Sequence, residues 1–168
     1  MKTCQTQRQL RTALGQCATG VAVASAVTGD GRPVGMTINS FGALSLDPPL
    51  ILWCLRREAS RGAAFTEADH FAINVLAAGQ AHLARRFATW DDSGFTDLAW
   101  HPGPWCLPLL DGVLGVFVCR RSQLLDGGDH LILIGHLEDY EVAAERQPLI
   151  FHGGRYRALT DIPVRVSG

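Results

Sequence analysis

Three groups of residues in this 168-residue chain have types and spacing suited to chemistry. The richest is Gly35-Met36-Thr37-Ile38-Asn39-Ser40-Phe41, running on through Gly42-Ala43-Leu44-Ser45-Leu46 to Asp47-Pro48-Pro49. It opens as a strand and ends in a stiff turn, with small hydroxyl and amide residues and little charge between. Such residues let a backbone come close to a ligand and offer it neutral hydrogen bonds. The stretch therefore reads as the floor of a cofactor site, although a hairpin with a polar turn has the same composition. The second group is His130, which follows Gly127-Gly128-Asp129. A His just after a turn sits at a strand mouth, where it can donate a hydrogen bond or move a proton, or simply be polar surface. The third is His152-Gly153-Gly154-Arg155. Two glycines permit close backbone approach, and an Arg can pair with an anion. A tight turn before the last strand is the plainer account.

Several other chemistries lack support. Gly29-x-Gly31-x-x-x-Gly35 is one residue off the dinucleotide fingerprint, and Pro33 stands where its helix should begin. Neither a phosphate-binding P-loop pattern nor a G-x-S-x-G elbow occurs. The five cysteines, at 4, 17, 54, 106 and 119, form no C-x-x-C, and no H-x-x-x-H accompanies them, so no metal is expected. Cys54 and Cys119 lie in apolar runs and read as buried small side chains; such cysteine usage suits a reducing cytoplasm. The net charge is −1 and no basic stripe points to nucleic acid. No apolar run approaches the roughly 20 residues of a membrane span, and the N-terminus lacks the apolar core of a signal peptide.

The elements that must position these groups follow from periodicity. Leu10, Ala13, Leu14 and Cys17 are spaced as on a helix over 5–17. Val21–Val27 is a β-branched, nearly continuous apolar run, expected of a strand buried on both faces. Gly29-Asp30-Gly31 turns it back into the central stretch. Leu50–Leu55 and Phe71–Leu76 are strands; Ser60–Ala68 and Gln80–Phe87 are helices, with Phe65, Leu83, Ala84 and Phe87 inward. Residues 90–108 hold Gly94, Pro102, Gly103 and Pro104 and read as one long irregular loop. Val113–Cys119, Asp129–Leu137, Pro148–His152 and Tyr156–Leu159 complete the strands, and 162–168 reads as a tail. Six or more strands with short connections and few helices predict a mainly β fold, an antiparallel barrel or sandwich, in a single domain over 1–168. Strands apolar on both faces predict a homodimer that covers one of them.

Six segments occur in a familiar order: Thr19-Gly20-Val21-Ala22-Val23, Gly35 to Phe41, Ser45-Leu46-Asp47-Pro48-Pro49-Leu50, Phe71 to Leu76, Gly128-Asp129-His130, and Pro148 to Gly154 with Tyr156. Together they span about residues 10–159, and the chain resembles the short-chain flavin reductases, the reductase components of two-component flavin monooxygenases. The resemblance implies an FMN-binding split β-barrel, usually a homodimer, that binds FMN or FAD and takes a hydride from NADH or NADPH. It also implies a partner monooxygenase that receives the reduced flavin. It places the ring edge against donors from Met36, Thr37, Ile38, Asn39 and Ser40, where fixed donors favour the reduced state. The ribityl chain would follow a turn at Ala43-Leu44-Ser45. Arg56, Ser60 and Arg61 would meet the flavin phosphate, aided by the amides of a helix starting near Ser60; a solvated surface pair is the alternative for the two arginines. Phe87 falls in a segment near the flavin, although core packing also accounts for it. His130 would lie at the nicotinamide, and His152, Gly153, Gly154 and Arg155 would contact the same co-substrate. The rivals are a flavin-binding module that does not accept NAD(P)H and a relative that uses the same barrel for haem.

Overall fold

The computed structural model describes residues 6–89 and 94–160. In chain order the elements are α1 (Gln7–Leu14), β1 (Thr19–Gly20), β2 (Ala22–Val27), β3 (Pro33–Ile38), β4 (Gly42–Leu46), β5 (Pro49–Arg56), α2 (Gly62–Glu67), β6 (His70–Val75), α3 (Ala81–Ala88), β7 (Trp100–Pro102), β8 (Pro108–Leu110), β9 (Gly115–Gly127), β10 (His130–Val142), β11 (Ile150–His152) and β12 (Arg155–Arg157). The expected tail at 162–168 lies outside the described residues.

Seven strands form one antiparallel sheet in the order β3-β2-β6-β9-β10-β5-β4. Its two edge strands, β3 and β4, are neighbours in sequence, joined only by 39–41. Three residues reach roughly 10 Å at most, so the opposite edges of the sheet must approach each other. The sheet therefore curls into a barrel. Ser40 marks the closure: its Oγ accepts the Cys54 backbone N–H at 2.9 Å from the strand next to the far edge.

The barrel interior holds Trp53, Phe65, Phe71, Leu55, Ile73 and Leu133, each at most 1 % exposed, so none of them reaches solvent or a ligand. Trp53 packs edge-on against Phe65 and Phe71. Strand β2 is buried on both sides, as its composition predicts, and the cover comes from the chain itself. Ala22, Ala24 and Ala26 face the interior. Val21 and Val23 face a second core under α3, with Leu83, Ala84, Phe87 and Phe95. Burying such side chains supplies the main drive for docking α3 on the barrel.

The 90–108 segment differs from the single irregular loop expected. Residues 100–102 and 108–110 pair as the antiparallel strands β7 and β8. Prolines at 102 and 108 hide these strands in the sequence; both stand at strand ends, where a missing N–H is tolerated. Buried Asn74 fixes this unit to the barrel. Its amide donates to Val23 O and Ser25 Oγ, its Oδ1 accepts the Leu110 N–H, and Ser25 Oγ donates to Pro108 O.

Candidate functional site

Strand alternation decides what the central stretch can offer. Met36 and Ile38 turn toward the barrel core. Thr37 points the other way, and its hydroxyl donates to Ala84 O at 2.7 Å, tying β3 to α3. The Ser40 hydroxyl is engaged with Cys54. Both hydroxyls therefore serve the fold, and Asn39, exposed just past β3, has a side chain without a partner among the described residues. Residues 43–45 form no turn but lie within β4, with Ala43 and Leu44 exposed.

Two compartments flank α1. One, about 1110 Å³, is lined by Arg56, Arg57, Glu58, Asp129 and His130 together with Gln7, Leu10, Arg11 and Leu14. The other, about 460 Å³, is lined by Thr19, Asn39, Phe151, Gly153 and Gly154 together with Arg11, Leu14 and Gly15. Arg11 and Leu14 border both, so α1 is the partition. No α1 residue is buried. A backbone bond from Gly153 N–H to Gly15 O, 2.8 Å, anchors its end to the β11–β12 turn. Gly153 and Gly154 hold φ of 58° and 76° in that turn, which favours glycine there.

In the larger compartment, His130 opens β10 opposite Arg56 of β5. Its Nδ1 lies 2.7 Å from Asp129 Oδ1. That hydrogen bond, with the charge of His130, holds the Asp129 carboxyl below its usual range. Pinning Nδ1 leaves Nε2 as the ring nitrogen open to a ligand. Arg57 braces the same corner, donating through Nε to Gly128 O and pairing with Asp126. The Arg56 side chain makes an ion pair with Glu58 at 3.5 Å, and its charge helps to lower the Asp129 carboxyl.

Arg61 lies elsewhere. Its Nη1 donates to Gly35 O at 3.1 Å, while Nη2 is buried without a partner among the described residues. It borders a separate cavity of about 300 Å³ with Phe95 and Trp100. Helix α2 starts at Gly62, two residues later than expected, and spans six residues. Ser60 and Arg155 are exposed and His152 is half-buried. Phe87, 1 % exposed, sits in the α3 core and offers no surface to a ligand.

The structure thus brings Asn39, Gly153 and Gly154 to one side of α1 and Arg56 and His130 to the other, and sets Arg61 and Phe87 apart. Sequence reasoning missed Thr19, whose hydroxyl is buried without a partner among the described residues in the wall of the smaller compartment. It also missed Arg11, whose place on both sides no helical pattern reveals. Among the described residues no cluster of three or more His, Cys, Asp or Glu could hold a metal ion, and no helix is long and apolar enough to cross a membrane.

The flavin reductase like domain model matches residues 14–160. The chain belongs to this family. It is 46 % identical over 154 residues to the FMN reductase (NADH) SmoA of Agrobacterium fabrum, covering 90 % of this chain and 86 % of that one. It is 37 % identical over 152 residues to HsaB of Rhodococcus jostii, the reductase subunit of a flavin-dependent monooxygenase, covering 90 % and 77 %. Among solved structures, the NADH:FAD oxidoreductase SgcE6 of Streptomyces globisporus, in complex with NAD and FAD fragments, superposes with a TM-score of 0.89 at 34 % identity, over 95 % and 98 % of the two chains.

The residues around α1 fit the ligand class that this flavin reductase family handles. A flat ring with a polar edge needs neutral donors beside it and a cation for its phosphate. Asn39 and the Thr19 hydroxyl meet the first need beside α1, and Arg61, apart from α1 and near Gly35, offers a cation for the second.

Proposed function

We propose that this chain is an NAD(P)H:flavin oxidoreductase that reduces FMN or FAD and supplies the reduced flavin to a partner monooxygenase. The observation that carries the reading is the 46 % identity to an NADH-dependent FMN reductase along 90 % of the chain. The compartments beside α1 give it a physical basis. When bound, a flavin accepts a hydride from the nicotinamide of NADH or NADPH.

The chain's own residues then position and shield. Asn39 and backbone amides of 36–40 hold the polar edge of the ring and favour the charge that reduction leaves there. His130, oriented by Asp129 through Nδ1, meets the co-substrate from the strand mouth, where Nε2 accepts a hydrogen bond when the ring is neutral and donates one, or delivers its proton, when the ring is charged. Gly153 and Gly154 let the co-substrate approach the backbone. No side chain acts as a nucleophile; holding two rings in contact supplies most of the rate.

The chain acts as a homodimer in this reading. Leu50, Leu52 and Cys54 on the outward side of β5 are half-exposed, and Leu46 is 93 % exposed; a second copy would cover this apolar surface. Four described cysteines are free thiols, which suits a reducing cytoplasm. Stopped-flow oxidation of NADH and of NADPH, each with FMN or FAD, tests the activity. Rapid oxidation with at least one pair is expected, and no oxidation with any pair overturns the reading. Sedimentation as an 18 kDa species alone at micromolar concentration would overturn the dimer.

A further inference from the structure

Three arginines, Arg11, Arg56 and Arg57, line the larger compartment beside α1. Arg57 is paired with Asp126, and Asp129 is taken up by His130. Arg56 has one loose contact with exposed Glu58, 3.5 Å. Arg11 lines the compartment and makes no ion pair or hydrogen bond through its side chain among the described residues. It extends from the last turn of a helix that buries none of its residues. Packing therefore gives no reason for an arginine there. Arg11 lines both compartments.

We propose that Arg11 is a substrate-positioning residue that, with Arg56 across the compartment, grips the pyrophosphate of the nicotinamide dinucleotide while His130 meets its nicotinamide end. This rests on the reductase reading above. Three features favour the dinucleotide over the flavin as the source of the phosphate. The compartment of about 1110 Å³ has room for a ligand of that length. His130 stands in its wall beside Arg56. The unsatisfied Arg61 Nη2 offers a separate cation on the far side of β3, near Gly35. A guanidinium suits the task because it meets phosphate oxygens with paired donors.

The test compares Arg11→Gln and Arg11→Lys with the wild type. Removing the charge is expected to raise KM for NADH about tenfold, the usual loss for a hydrogen bond to a charged group. The flavin dissociation constant, the maximal rate and the thermal melt should stay close to wild type, and Arg11→Lys should recover part of the loss. KM should also rise less steeply with salt in Arg11→Gln. Reduced nicotinamide mononucleotide, which lacks the pyrophosphate, should be used equally by wild type and Arg11→Gln. An unchanged KM for NADH in an active Arg11→Gln protein overturns the assignment while the reductase reading stands. A weakened flavin affinity with unchanged KM assigns the arginine to the flavin phosphate and also overturns it. A wild type that oxidises neither NADH nor NADPH removes the reductase reading and this assignment together.

Discussion

Two polar regions of the molecule are built on opposite principles. At the seam between β2, β6 and β8, Asn74 and Ser25 are fully buried, and four hydrogen bonds engage them, three donated by the Asn74 amide and the Ser25 hydroxyl and one accepted by Asn74 Oδ1. Around α1, the Thr19 hydroxyl has no partner among the described residues, and none of those residues pairs with the side chain of Asn39 or Arg11. A buried donor left unmade costs about 1–3 kcal/mol, so a chain tolerates one where something else supplies the bond. The seam shows that this sequence can satisfy polar groups where only folding is at stake. Trp53 Nε1, inside the barrel, also lacks a partner among the described residues, so it is the place of Thr19 and Asn39 in the wall of a compartment that points to a ligand.

The comparison breaks most severely at His130. Replacing it with Ala should slow flavin reduction by NADH about tenfold to a thousandfold, the range for losing one positioned donor or acid. Flavin affinity and melting temperature should change little. Single-turnover reduction of pre-bound flavin, run beside a thermal melt, decides the matter. A wild-type rate with a lowered melting point would place His130 with the seam, as a residue that only satisfies Asp129.

The opposite pattern is expected of Asn74→Ala. It leaves Val23 O and the Leu110 N–H without their side-chain partner and opens a small void. The expected loss is about 2–4 kcal/mol of stability, or roughly 10 °C in melting temperature for a chain of this size. The flavin affinity of the folded fraction should be unchanged. An unaltered melt would mean that water replaces the amide and that the seam is not the rigid frame it looks to be.

A finer division runs between two adjacent residues. Ser40→Ala removes the bond that closes the barrel at Cys54 and should lower stability by about 1 kcal/mol. Asn39→Ala touches no partner and should instead weaken flavin binding by a similar amount. Denaturant melts and flavin titration of both single variants separate the two effects. Equal behaviour of the pair would erase the distinction between fold-serving and ligand-serving groups in this stretch.

Much of this was legible in the sequence. The β-branched and apolar runs located β2, β5, β6 and β10, because burial and side-chain shape dominate there. Strand parity also carried information that residue type alone hides. With Met36 and Ile38 inward, Thr37 had to face α3, so its hydroxyl was a poor candidate for the cofactor floor. Other features left no signal. The three-residue strands β7 and β8 are too short for periodicity, and their prolines argue against strands. Leu10, Ala13 and Leu14 have the spacing of a buried helix face, yet α1 buries none of them. It divides two compartments instead, and tertiary placement of that kind has no local signature.

The smallest effect concerns thiols, which sample both regions without altering either. Cys119 is buried in the barrel, and burial together with the nearby Glu138 charge pushes its thiol up to about 12. At pH 8 only on the order of one molecule in ten thousand carries the reactive thiolate, and the reagent must also reach it. Cys17 is exposed and borders the compartment that holds Asn39 and Thr19. Alkylation at pH 8, followed by peptide mass spectrometry, should therefore label Cys17 within minutes and leave Cys119 unlabelled until denaturant unfolds the chain. Raising the pH to 9 should not change that order, since Cys119 remains overwhelmingly protonated. Saturating flavin should slow labelling of Cys17 and leave exposed Cys106 unaffected, because Cys106 lies in the β7–β8 segment. Equal labelling of Cys17 with and without flavin would separate the Asn39 compartment from the flavin, and Asn39 would then count as ordinary surface.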